Sequence, residues 1–195
     1  MIGELFFMRH QIVTRLVAMA VLVAIASHVG AQLTDQQAAA AKAAGEAGRA
    51  RDIVVLCLSS KFKESLGHPD LTLVEMRISG AAGDIAMKAF DAKRSSQPIE
   101  IKEDARAWHL TVVAHPTRSG VVQAIALRAG KGDAVAADQF IAGPPVGKSV
   151  DGAAVFTSPA ARALIEHGPF SVVAVLPGGE RSCDLTDKDR AKLGL

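Results

Sequence analysis

From Leu71 onward, apolar and polar positions tend to alternate with a period of two. LTLVEMRIS, DIAMKAF, PIEIKE, AWHLTVVA, VVQAIALRA and AVAADQFI are short and apolar-rich, several of them β-branched, as half-buried strands are. SGAAG, AKRSSQ, HPTRSG and GKGD separate them and supply turn-forming residues. Such brief connections suit hairpins, because a parallel sheet needs crossovers of a dozen or more residues. An antiparallel sheet of about six to eight strands is therefore expected. DIAMKAF reads as one of its strands, with a turn of helix as the alternative.

Upstream the pattern changes. Thr34 followed by Gln37 forms a capping-box signature, and the Ala-rich run after it favours helix. Val55, Leu58, Phe62 and Leu66 recur at spacings of three and four, which places them on one helical face. Together these predict one N-terminal helix over residues 35–66. It is firmest after residue 50, since Gly45 and Gly48 weaken its first half, which is expected to fray. The apolar run IVVLCL is a competing strand, and Gly67-His68-Pro69-Asp70 ends the segment in either case. Near the other terminus, Ser158 suits an N-cap and Pro159 the first helical position, while Gly168 and Pro169 stop the helix between them. FSVVAVLPGGERSCDL then reads as a hairpin around Pro177-Gly178-Gly179, followed by a short surface helix in the polar tail. The expected fold class is α+β: an antiparallel sheet with the N-terminal helix and the short 158–167 helix packed on it. No repeat or linker interrupts it, so one domain is expected.

The first residues bear on compartment. Arg9, His10 and Arg15 lead into the apolar run Leu16–Ala26, and the small residues Val29-Gly30-Ala31 follow. A basic start, an apolar stretch and a small-residue exit are the parts of a secretory signal peptide. Residues 1–31 are read as that cleaved peptide, with Met8 as the initiator. The run falls short of the ~20 residues that span a bilayer, so no membrane span is expected after cleavage. Residues 32–195 are then one secreted or periplasmic domain, and the Ala, Gly and Arg usage suggests a bacterial source. In an oxidising compartment Cys57 and Cys183 are expected to form a disulfide, with two buried free thiols as the alternative.

Charge and aromatic content narrow the partners. The 22 Lys and Arg nearly balance the 20 Asp and Glu, and no basic stripe stands out, so nucleic acid is not an expected partner. With no Tyr and one Trp, the chain has few stacking platforms for sugars or single strands.

Several motifs invite a chemical reading. AGPPVGKS, Ala142 to Ser149, fits the loose pattern of a phosphate-binding loop. That loop needs a helix directly after it, yet Gly152 and Ser158-Pro159 delay the next credible helix by some nine residues. A stiff hinge is expected there, and no nucleotide. Ser60 and Lys63 form an S-x-x-K pair, but S-D-N and K-T-G companions are missing. His109 and His115 fall on one strand face, some ~20 Å apart if extended, too far to share a metal. His68 sits in a turn and His167 at a helix C-terminus, where it complements the dipole. Glu103-Asp104 and Asp187-Asp189 read as solvated, and Trp108 as a core residue. No catalytic, cofactor or metal residues are assigned. The expected function is non-enzymatic binding of a protein or envelope component, inhibitor-like or envelope-associated. The alternative is a periplasmic hydrolase whose site is assembled from scattered Ser, His and Asp.

Overall fold

The computed structural model describes residues 32–59 and 72–195. The expected signal peptide, the Ser60–Lys63 pair and the turn around His68 lie outside the described residues. The fold is mixed α+β, with one six-stranded and one four-stranded sheet. Helix α1 (Asp35–Glu46) leads through a 3-10 turn, Ala50–Ile53, to β1 (Val55–Leu58). Next come β2 (Val74–Gly80), helix α2 (Ala81–Arg94) and, after a 3-10 turn at Asp104–Arg106, β3 (Leu110–Pro116). The chain continues through β4 (Gly120–Val121), β5 (Ala124–Arg128), β6 (Ala134–Ala136), β7 (Gln139–Val146) and β8 (Ser149–Phe156). Helix α3 (Pro159–Glu166), the hairpin β9 (Ser171–Leu176) and β10 (Gly179–Asp184), and helix α4 (Asp187–Leu193) complete it.

The first sheet runs β1-β2-β3-β8, with β7 pairing β8 on its far side, and these neighbours are antiparallel. The two-residue β4 adds a short parallel contact to β8. The second sheet is antiparallel, in the order β10-β9-β5-β6. Alternation explains the layering. In β2 and β3, Val74, Met76, Ile78, Leu110, Val112 and Ala114 point inward and are fully buried. They share one hydrophobic cluster with residues of the second sheet such as Leu127 and Val172. The chain changes sheets between β4 and β5, at buried Val122. Cys57 on β1 and Cys183 on β10 are disulfide-bonded, with Cα atoms 6.2 Å apart, so the bond crosses from one sheet to the other.

Several sequence expectations are corrected. The helix over 35–66 stops at Glu46, and Gly48, at φ 76°, ends it. The competing strand holds instead: Val55–Leu58 pairs with β2, so Cys57 stands on a strand. The frayed half proves well made, with both hydrogen bonds of the Thr34–Gln37 capping box present. DIAMKAF belongs to α2, because its buried positions Ala81, Ile85, Ala86 and Ala89 follow a helical repeat. These side chains face α1 and form a second, smaller cluster with Ala38, Ala41 and Ile53. The N-terminal helix thus packs on α2 rather than on a sheet. PIEIKE pairs with no strand. SVDGAAVF, to which the sequence pattern assigns no strand, is β8, which lies between β3 and β7.

Candidate functional site

Residues of three elements converge on Asp84, in the first turn of α2. Ser79 Oγ donates to Asp84 Oδ1 at 2.5 Å, and Thr111 Oγ1 donates to Oδ2 at 2.7 Å. His109 Nε2 reaches Oδ2 at 3.0 Å, and its Nδ1 reaches the Ala107 carbonyl oxygen at 2.8 Å. A carbonyl and an ionised carboxylate only accept, so both ring nitrogens donate and the ring is an imidazolium. Burial pushes the Asp84 carboxyl up, but hydrogen bonds from His109, Ser79 and Thr111 outweigh it and hold its pKa below the ordinary value. The bond to Asp84 raises the His109 pKa against burial, helped by Ala107 and opposed by the Lys88 charge.

This Ser, His and Asp gathering differs from a hydrolytic triad. Its imidazolium has no lone pair with which to take a hydroxyl proton. Ser79, 1% exposed, points its hydroxyl at the carboxylate rather than at the ring. What the arrangement does is clamp α2 to β2 and β3. The sequence draws attention to His109 but not to Asp84, 25 positions away, because DIAMKAF reads as a strand.

The other candidate residues are dispersed. His115 pairs with Asp151 at 2.7 Å on the half-exposed outer face of the first sheet, apart from His109. His167 Nδ1 donates to the Ala163 carbonyl oxygen at 2.6 Å, at the end of α3. Trp108 is half-buried at the core margin, with the Arg162 guanidinium 5.9 Å above its ring. It lines a cavity of about 40 Å³ with His109 and Leu193. Asp104 opens a 3-10 turn, and Asp189 caps α4 through Thr186. Among the described residues, no group of three or more His, Cys, Asp or Glu side chains could hold a metal. A groove of about 360 Å³ runs between α2 and residues 99–105, with Ile85, Ile99 and Ile101 among apolar walls and Lys88 and Lys102 among its charges.

AGPPVGKS is the end of β7 and the tip of a hairpin. Val146 pairs with Ser149, which leaves Gly147-Lys148 as a two-residue turn. Gly147 has φ 62°, and Ser96 is the only described non-glycine residue with positive φ, so Lys148 lies in the ordinary region. Glycine first and an ordinary residue second is the pattern of a II′ turn. Ser149 opens a strand, and its hydroxyl donates to the Arg118 carbonyl oxygen. The helix N-terminus that a phosphate loop requires is absent at this position. The expected hinge is corrected too, since Ala142–Val146 continues β7 with a register shift between Ala142 and Pro145. An edge strand tolerates Pro144 and Pro145 because no neighbour needs their N–H groups.

That edge and the adjoining face form the most exposed apolar surface described. Among the described residues β7 pairs only with β8, and β1 only with β2, so no described strand covers either margin of the sheet. Ile141 and Val146 on β7 are 63% and 71% exposed, and Leu56 on β1 is 52% exposed. The register aligns Leu56, Arg77, Val113, Ala153 and Ile141 in one row across five strands. The comparable inner row through Ile78, Val112 and Ala154 is fully buried. Comparison with known proteins adds no relative to this picture: no family model matches the chain, and no curated protein or solved structure matches it.

Proposed function

We propose that this protein acts by binding, with the outer face of the six-stranded sheet and its β7 edge as the contact surface. The observation that carries the reading is the exposure of Ile141 and Val146 on a strand whose outer side no described strand pairs. Apolar side chains on an open edge favour pairing with another chain, and strand addition is a recurrent mode of peptide recognition. Pro144 and Pro145 limit that pairing to the first part of β7, which guards against indefinite self-assembly. The partner we propose is a protein or envelope component, met in the periplasm or outside the cell. The signal-peptide pattern supports that compartment, and the Cys57–Cys183 bond is compatible with it. No helix among the described residues is long and apolar enough to cross a membrane. The hydrolase alternative draws little support from the Asp84 cluster, whose imidazolium is fully engaged.

Photocrosslinking in cells tests the reading. A photoreactive residue at position 141 or 146 should give discrete adducts, while the same residue at Lys131, in a turn of the other sheet, should not. Equal labelling from all three positions, or none from 141 and 146, would overturn it. Recovery of the protein from the cytoplasmic fraction alone would overturn the compartment.

A further inference from the structure

Arg77 stands near the middle of the exposed row, between Leu56 on β1 and Val113 on β3. Its neighbours do not answer its charge. Among the described residues, no hydrogen bond or ion pair reaches the side chain, and its Nε is sealed from solvent without a partner. Glu75, two residues along the same strand and on the same face, forms no ion pair with it. Of the other carboxylates on this face, Asp84 is taken by Ser79, Thr111 and His109, and Asp151 by His115 at 2.7 Å. A guanidinium offers five donors in a planar fork suited to a carboxylate, and a donor sealed without an acceptor is costly. Apolar positions flank it on both sides, with Leu56 and Ile141 at the two ends of the row, about 19 Å apart at the usual strand spacing.

We infer that this face receives a protein segment carrying a carboxylate between apolar side chains, with Arg77 as the receptor for the carboxylate. The inference rests on the binding role proposed above and specifies the chemistry of the partner. A second copy of this chain is a poorer occupant. A two-fold axis through the middle of the row would bring Arg77 close to its own symmetry mate, adding like-charge repulsion to the unmet hydrogen bonds. A carboxylate supplies the missing acceptor, and apolar neighbours cover Leu56, Val113 and Ile141. Exclusion of water by those neighbours strengthens the ion pair.

Three fluorescent ten-residue peptides, alternating leucine with glutamate, glutamine or lysine, test the inference on the purified protein with its disulfide intact. The glutamate peptide should bind at least about tenfold more tightly than the glutamine peptide, the usual scale of a charge-assisted bond. The lysine peptide should bind weakest. Arg77→Met and Arg77→Gln should both abolish the preference for glutamate over glutamine, with unchanged melting temperatures showing that they still fold. Ile141→Lys should weaken the apolar contribution common to the glutamate and glutamine peptides. Equal binding of those two peptides, with Ile141→Lys still weakening both, would overturn the carboxylate inference and leave the binding surface standing. No effect of Ile141→Lys on any peptide, or no binding at all, would overturn both. A dimer in sedimentation that Ile141→Lys dissociates would show a second copy on this face and overturn the hetero-partner assignment.

Discussion

Asp84 accepts from Ser79 on β2, Thr111 on β3 and His109 just before β3, and His109 spends both ring nitrogens as donors. Removing one partner leaves buried polar groups unmet, so His109→Gln should cost about 2 kcal/mol of stability. Its pH dependence has a definite sign. The raised His109 pKa gives stabilisation that is full below the ordinary value of about 6.5 and lost as pH rises through the raised value. The lowered Asp84 pKa gives stabilisation present above the ordinary value of about 3.9 and lost as pH falls through the lowered one. Urea denaturation of wild type and His109→Gln should therefore differ most at about pH 5–6, and the difference should narrow as pH rises above the ordinary histidine value through the raised one. A difference that does not change with pH would mean that the ring is not held as an imidazolium. Half of this cluster was legible in the sequence. Histidines attract notice, but a carboxylate that meets one 25 positions later is visible only once its element and face are known.

Gly45 shows how the same residue reads differently at the scale of an element. In isolation a mid-helix glycine costs about 1 kcal/mol against alanine, which is why the first half of the N-terminal helix was expected to fray. In the fold, a Cβ at this position would sit 2.1 Å from the Ala86 carbonyl oxygen and 2.8 Å from the Ala89 Cβ. The missing side chain lets α1 lie against α2. Gly45→Ala should therefore destabilise the protein by about 1–3 kcal/mol despite its better propensity, because the obstacle is backbone and cannot swing aside. Urea midpoints, with amide exchange over residues 35–46, would show the loss and place it in α1. A stabilised variant would mean that the two helices do not approach this closely. The misread elements share a cause, since period two and period 3.6 are hard to separate over short windows. Ile85, Met87 and Ala89 alternate as a strand would, while Ile85, Ala86 and Ala89 also lie together on a helix. In β8 the signal is faint because Gly152, Ala153 and Ala154 have little strand preference. Gly152 is nevertheless needed, since a Cβ there would come within 2.6 Å of Val122 Cγ1.

For the whole molecule, most strand positions were legible and their division into two sheets was not. VVQAIALRA reads as one strand, but Val122 buries itself at the point where the chain leaves one sheet for the other, and local pattern carries no record of that change. The disulfide is the covalent tie across the division. Cys57 on β1 and Cys183 on β10 are 126 residues apart, and closing so long a loop restricts the unfolded chain by about 5 kcal/mol in the chain-entropy model. The double variant Cys57→Ser, Cys183→Ser should lower the urea midpoint, by an amount for which that figure is an upper bound. It should also raise the slope of the transition, because the uncrosslinked chain expands further and exposes more surface when it unfolds. The two effects separate the explanations. A bond that acted only by packing its sulfurs in the core would lower the midpoint and leave the slope unchanged. A bond acting through the unfolded chain moves both, and reducing agent should convert wild-type behaviour towards that of the variant. A reduced protein with an unchanged midpoint and slope would show that noncovalent packing between the sheets already suffices.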